Sequence, residues 1–396
     1  LTTNPGYYDL IIIGGGIHGA GIAQAAAAHG YSVLALEQSA IAAGTSSRSS
    51  KLIHGGLRYL ESAQFNLVRE CLHERTLLLK NAPDLVELKP FYIPVYSETS
   101  RTAWQIRAGL SLYSTLGGLS AETRFKIVPQ REWARLDGLD LEDLHKVFRY
   151  YDAQTDDALL TEAVMRSAQS LGAELEMPAH FVSAERHGSR YVVRYQTESQ
   201  EIECETALLI NAAGPWVNEV LQQVTPKVTS LDIDLIQGTH IILEGTVNQG
   251  IYYIEAPEDR RAVFVMPWKD KLMVGTTESY FHGNPAKVIP LAKEKIYLLQ
   301  TLGYYFPRYR FTTHQEIVSS FAGLRVLPKI DGSAFSRPRD TIFHTDEVQE
   351  PRLVTIYGGK LTAYRATAER LLHQFSFVLP DKQAFADTRT LPLTPP

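Results

Sequence analysis

The chain has 396 residues, a net charge of −5 and a hydrophobic fraction of 44%, enough for two domains with sizeable cores and without the basic excess that would point to nucleic acid. Its two cysteines, Cys71 and Cys204, lie far apart with no CxxC, which argues against a disulfide framework, a zinc centre or a redox dithiol, and no metal site is expected. No run of 18 apolar residues occurs and the N-terminus shows neither a basic n-region nor an apolar h-region, so a cytoplasmic setting is expected.

Residues 8–13 read as a short parallel strand buried on both faces, with β-branched residues and almost no alternation. A glycine loop follows at once, then an alanine-rich helix to His29 with Gly30 as its C-cap. Residues 31–36 form the next strand, which ends in Glu37. This is G-x-G-x-x-G in its proper setting between strand and helix. Gly14 permits the tight turn, Gly16 lets the backbone approach a pyrophosphate and Gly19 allows close helix–strand packing. The helix N-terminus attracts the phosphates, and Glu37 takes the ribose hydroxyls. His18, inside the loop, reads as a packing residue or a neighbour of the pyrophosphate.

Residues 45–61 place hydroxyls, a lysine, a histidine, a glycine pair and an arginine shortly after this second strand. The run is too polar and too glycine-rich for core and suits the phosphates and ring edge of a cofactor. Residues 86–150 mix apolar, aromatic and proline-containing segments. Within them, residues 101–116 fit an amphipathic helix with Trp104, Ile106, Leu110 and Tyr113 as membrane anchors and Arg101 and Arg107 as headgroup contacts, or else a helix packed on its own domain.

Residues 207–210 form an apolar strand leading to a turn at 211–216 that passes close to the same dinucleotide. Short β-branched stretches at 232–235, 240–243, 250–254, 262–267 and 271–276 predict antiparallel strands, and 291–302 predicts a helix. Residues 353–356 are a further strand, and 357–362 open a helix that continues through Arg365 and Glu369. The glycine pair Gly358-Gly359 turns backbone N–H groups toward an anion, as reduced flavin becomes around N1 and the C2 carbonyl. Three cofactor-facing turns spread along the chain favour FAD over NAD.

With these motifs in place, the chain resembles the FAD-dependent glycerol-3-phosphate dehydrogenases, the quinone-linked respiratory family within the glycine/D-amino-acid-oxidase-like flavoproteins. The resemblance is carried by residues 14–23, 45–47, 49–61, 211–217, 275–277, 323–328 and 358–365, and it covers residues 7–392; the serine-to-leucine run near 49–60 is its most specific part. It implies an α/β fold with a discontinuous Rossmann-like FAD-binding domain (1–85, 151–225 and 320–396) and an antiparallel-sheet substrate domain (86–150 and 226–319). By the same resemblance, the helical C-terminal domain of long family members is expected to start where residue 396 is reached.

The implied reaction is oxidation of sn-glycerol 3-phosphate to dihydroxyacetone phosphate by hydride transfer to FAD, with electrons passed to a quinone and a peripheral seat on the inner face of the membrane. A phosphate dianion calls for guanidinium forks, and Arg325 and Arg339 match family arginines that face the substrate. A structural ion pair, such as Arg339 with Asp340 or Asp331, is the competing role. Arg58 and Tyr59 match site positions, and Lys360 contacts flavin or substrate. His240, on a substrate-domain strand, is the candidate general base, because a histidine pKa lies near the working pH; His54 is its rival and otherwise a flavin neighbour. The cofactor contacts implied are Gly14, Gly16, Gly19, Glu37, Thr45, Ser46, Ser47, Ser50, Lys51, Leu52, His54, Gly55, Gly56, Val182, Ala213, Gly214, Trp216, Gly359, Lys360, Leu361 and Thr362. Three alternatives stand beside this reading. One is an oxidase returning electrons to oxygen. Another is an amine or amino-acid oxidase using an arginine for a carboxylate, and the last is a non-catalytic flavin sensor.

Overall fold

The strand Gly6–Ile13 is apolar along its inner length because both of its faces are covered. Leu10 and Ile12 pack toward the helices Ile17–Ala28, Asp157–Ser170 and Tyr364–Phe375, whereas Ile11 and Ile13 pack toward Ala184, Tyr191 and Val193 of an antiparallel layer. The computed structural model describes residues 6–329 and 341–395.

Gly6–Ile13 pairs in parallel with Val33–Leu36 on one side and Glu201–Asn211 on the other. Glu174–Glu176 extends the sheet beyond Val33–Leu36, and Leu353–Tyr357 joins the far end of Glu201–Asn211, both in parallel. The antiparallel strands His180–His187 and Arg190–Gln196 continue the same sheet. The glycine loop and the turns after Asn211 and Tyr357 therefore emerge at the C-terminal ends of three parallel strands, where ligands of α/β sheets bind.

A second, largely antiparallel sheet is built on the long pair Val86–Tyr96 and Leu144–Thr155. It continues through Ile251–Glu255, Ala262–Trp268, Lys271–Gly275 and Ile233–Leu243. The stretches expected separately at 232–235 and 240–243 are one strand, Ile233–Leu243, because Gln237 and Gly238 pair with Leu324 and Gly323 and the ladder runs unbroken there. Two expected domain boundaries also fall inside elements. Ile317–Pro328 pairs along Ile233–Leu243, so residues 320–328 belong to this second sheet, and Leu144–Thr155 runs through the boundary at 151. The helix expected to open at 357–362 begins later, at Tyr364, after an irregular turn.

The helix Ala103–Leu116 is packed on its own domain. Ile106, Leu110 and Tyr113 are buried in a core with Phe91, Phe148 and Tyr150, and Arg101 is ion-paired to Glu61 and Glu255. Of the four anchors expected for a membrane, only Trp104 faces outward. No helix among the described residues is long and apolar enough to cross a membrane.

Candidate active site

A cavity of about 920 Å³ lies between the two sheets, near the upper end of ligand-pocket sizes. One wall carries Gly14, Gly16, His18, Glu37, Ala213, Gly214, Trp216, Gly359, Lys360, Leu361 and Thr362; the opposite wall carries Gly238, His240, Thr276, Gly323 and Arg325. Thr45, Ser46, Ser50, Leu52, His54 and Tyr59 line the floor between them.

The first wall has the shape of a dinucleotide cradle. Gly14 has φ +111°, and a Cβ there would stand 2.7 Å from the Ala212 carbonyl oxygen, so the turn requires glycine. Gly19 does not line the cavity; its Cα packs against the Gly14 carbonyl, which is the helix–strand contact expected of it. At Gly16 a Cβ would meet nothing nearer than Ser46 Oγ at 3.2 Å, so any larger side chain there projects into the cavity. Ser46 Oγ accepts the Ile17 N–H at 2.9 Å and satisfies one free donor of the helix N-terminus. Glu37 is held at the cavity wall by the Gly15 N–H at 2.7 Å and the Ser39 N–H at 2.9 Å.

At the other end of this wall, Lys360 Nζ is buried with no hydrogen-bond acceptor among the described residues and lies 3.6 Å from the Tyr59 ring centroid. An unmet buried ammonium fits the electron-rich end of a flavin or a substrate anion. His18 packs its ring over Gly359, and burial together with Arg370 lowers its pKa to about 4. The glycine cradle, the buried acid at the second strand tip and the unmet cation together fit FAD.

The second wall is ordered by strand register. His240 stands opposite Phe321, Gly238 opposite Gly323 and Ile236 opposite Arg325. Cross-strand partners share a face, and the two facing glycines between His240 and Arg325 admit close packing: a Cβ at Gly238 would stand 2.6 Å from Thr276 Oγ1, and one at Gly323 2.5 Å from the Arg48 carbonyl oxygen. Arg325 Nη1 donates to Glu278 Oε1 at 2.6 Å and Nη2 to the Thr277 carbonyl at 3.4 Å. His240 stacks on Phe321 with ring centroids 4.8 Å apart, and its Nε2 lies 3.0 Å from Ser50 Oγ. The expected pKa near working pH does not hold for His240: burial first, then Lys51 and Arg325, lower it to about 3.

Several sequence-predicted residues stand outside the cavity wall. Lys51 turns its ammonium inward to Asp157 and to the Ser47 carbonyl at 2.5 Å, flanked by Trp268 and Phe321, so its charge is spent on the fold. Ser47 donates to the Gly44 carbonyl at 3.4 Å and braces that loop. Gly55 donates to Tyr113 Oη at 2.9 Å, in a buried network with Asp152 and Arg75. Gly56, at φ +78°, is the turn that brings Tyr59 to the floor. Arg58 is half-buried in the short helix Leu57–Leu60 and does not line the cavity. Val182 is the extra residue at a register shift between Phe181 and Ser183 and is exposed; His180 and Phe181 line the cavity instead. Arg339 lies outside the described residues.

Glu278 and the aromatic pair around Lys51 were missed by sequence reasoning. An acid directly after Thr276-Thr277 was the one local signal for Glu278; nothing local marks Trp268 or Phe321.

A family model described as FAD dependent oxidoreductase matches residues 9–365. The chain is 39% identical over 374 residues to a glycerol-3-phosphate dehydrogenase of Pseudomonas aeruginosa, covering 93% of this chain and 71% of that protein. It is 35% identical over 381 residues to the D-erythritol 1-phosphate dehydrogenase of Brucella abortus, covering 94% and 74%. In fold it is similar to the FAD complex of the glycerol-3-phosphate dehydrogenase from Bacillus halodurans, with a TM-score of 0.75, 24% identity and coverage of 98% of this chain and 68% of that one.

Proposed function

This chain belongs to the FAD-dependent oxidoreductase family, in the group of the glycerol-3-phosphate dehydrogenases, and we propose that it oxidises sn-glycerol 3-phosphate to dihydroxyacetone phosphate and passes the electrons to a quinone. The observation that carries the substrate reading is Arg325, held by Glu278 at the cavity wall on the same sheet face as His240.

FAD, when bound, supplies the hydride acceptor. The chain's own residues do the rest. Gly14, Gly16 and the helix start at Ile17 receive the pyrophosphate, and Glu37 receives the ribose. Lys360 places a cation beside the ring system. Arg325 offers its guanidinium to the substrate phosphate, with Arg339 as its proposed second arm. His240, neutral in its buried site, is the proposed proton acceptor for the alcohol; its Nε2 is engaged with Ser50 Oγ, and its Nδ1 meets no partner among the described residues. A dianion beside Arg325 offsets that arginine's share of the lowering, while burial, the larger cause, stays in force.

Anaerobic titration with glycerol 3-phosphate tests the reading: the flavin should bleach stoichiometrically. Arg325→Met and Arg339→Met should each lower kcat/KM by at least about tenfold, the value of one charge-assisted hydrogen bond, with FAD retained. Equal losses on glycerol, which lacks the phosphate, would assign the arginines to fold or flavin. The Brucella abortus relative supports a second substrate reading, D-erythritol 1-phosphate. A kcat/KM higher for that compound than for glycerol 3-phosphate would select it.

The quinone acceptor is inferred from the resemblance to the respiratory family, and the membrane reading draws on the outer face of Ala103–Leu116. Trp104, Ala108 and Leu112 recur there at four-residue spacing and all face outward, Trp104 being 73% exposed. Residues 99–121 contain no acid; Arg101 is tied to Glu61 and Glu255, which leaves the exposed Arg107 as the headgroup contact at a bilayer interface. Dichlorophenol-indophenol or short-chain quinone reduction should exceed peroxide formation. Liposome flotation should be lost in Trp104→Glu; unchanged flotation would remove the membrane reading.

A further inference from the structure

Glu294 is the third residue of the helix Ala292–Tyr305 and is almost fully buried. A carboxylate at that position ordinarily serves its own helix start, and Glu294 does accept the Leu291 N–H at 3.0 Å. Three further donors reach it from outside the helix: Gln237 Nε2 at 2.7 Å and Thr239 Oγ1 at 2.7 Å on the strand Ile233–Leu243, and Thr277 Oγ1 at 3.0 Å. A buried carboxylate held by four donors is a rigid node, because losing any one of them leaves charge unsolvated.

Thr277 is the member that leads to the cavity. Its Oγ1 also accepts the Thr239 N–H at 2.9 Å, which fixes the turn between Lys271–Gly275 and Ser279–Phe281 against the neighbouring strand. The Thr277 carbonyl and the next side chain, Glu278, both accept from Arg325. The Glu278 carbonyl in turn accepts Arg261 Nη1 at 2.6 Å, so the turn is pinned at both ends.

We propose that Glu294 is a positioning residue for Arg325, acting through Thr277 and Glu278 to set where the guanidinium meets the substrate anion. The inference rests on the reading of Arg325 as the phosphate-binding arginine. Glu294 touches neither substrate nor cofactor; its effect is on the placement of the arginine, and misplacement of a binding group by about 1 Å is enough to cost up to about a hundredfold.

The test uses the FAD-loaded full chain and compares Thr277→Val, Thr277→Ser, Glu294→Gln and Arg325→Met. The readouts are KM and kcat for glycerol 3-phosphate, the inhibition constant of inorganic phosphate and the flavin absorption spectrum. Thr277→Val and Glu294→Gln should raise both KM and the phosphate inhibition constant by about tenfold, with a much smaller change in kcat and an unaltered spectrum. Thr277→Ser, which keeps the hydroxyl, should restore both constants. If Glu294→Gln does not fold, the valine and serine variants decide alone. Wild-type constants in Thr277→Val, alongside raised constants in Arg325→Met, would overturn the inference and leave the phosphate site intact. Wild-type constants in Arg325→Met would remove the phosphate reading itself, and the inference with it.

Discussion

The Lys360 ammonium lies over the Tyr59 ring, 3.6 Å from its centroid, and meets no hydrogen-bond acceptor among the described residues. The two residues come from opposite ends of the chain, and the aromatic face offers a cation only part of what water would. An arrangement of this kind is completed by a bound anion or an electron-rich ring.

Removing that cation should make the flavin harder to reduce. In Lys360→Met the midpoint potential is expected to fall by at least about 30 mV, equivalent to ~1.4 kcal/mol for a two-electron couple. Spectroelectrochemistry measures it directly. An unchanged potential would mean that the ammonium does not face the flavin.

Gly16→Val should give a folded protein that cannot hold FAD. Among the described residues a Cβ at Gly16 would approach Ser46 Oγ, at 3.2 Å, so the added methyls occupy cavity space that the pyrophosphate needs and not the core. Circular dichroism should match the wild type while no FAD is released on denaturation. Retention of FAD at wild-type stoichiometry would contradict the placement of the pyrophosphate.

Two histidines, the buried His240 and the half-buried His18, should make stability fall as the solution is acidified from about pH 6.5. His18 and His240 are lowered to about 4 and about 3 by burial, with Arg370 acting on the first and Lys51 and Arg325 on the second. Below an unfolded pKa of about 6.5 the unfolded chain takes up these protons and the folded chain does not. Stability is therefore fully present above about 6.5 and declines as pH drops toward the folded values, by up to ~1.4 kcal/mol per pH unit for each histidine. Urea unfolding of His18→Asn and His240→Asn between pH 4.5 and 7.5 should show a shallower slope than the wild type. Identical slopes would mean that the rings are protonated in the fold.

Asp157→Ala should be strongly destabilising. Asp157 is fully buried, pairs with Lys51 and accepts the Ser49 N–H at 2.9 Å. Its loss leaves the Lys51 ammonium buried without its counter-charge, a change that costs about 3–5 kcal/mol. Replacing both charges together, as in Lys51→Met with Asp157→Leu, should recover a large part of that loss. A small effect of Asp157→Ala in urea unfolding would show that water reaches the pair.

The backbone path of the glycine-loop wall was legible in the sequence by itself. Gly14, Gly16, Gly19 and Glu37 encode a local backbone path, strand to turn to helix to strand, and a path within some 25 consecutive residues needs no distant partner to be specified. The same holds for the turn at Ala213 and Gly214, whereas the helix expected to open at Gly358-Gly359 starts only at Tyr364. The charges were a different matter. Lys51, in the middle of the most specific motif, has its ammonium tied to Asp157, more than a hundred residues away. His240 has the residue type of a base near neutral pH, yet Phe321, Lys51 and Arg325 surround it and hold it near 3. Ile106, Leu110 and Tyr113 fit a membrane-facing stripe until Phe91, Phe148 and Tyr150 are seen to cover them. Backbone turns are set by short-range sterics that contiguous residues carry. Charge pairing, desolvation and the facing of an apolar stripe depend on neighbours that only folding supplies.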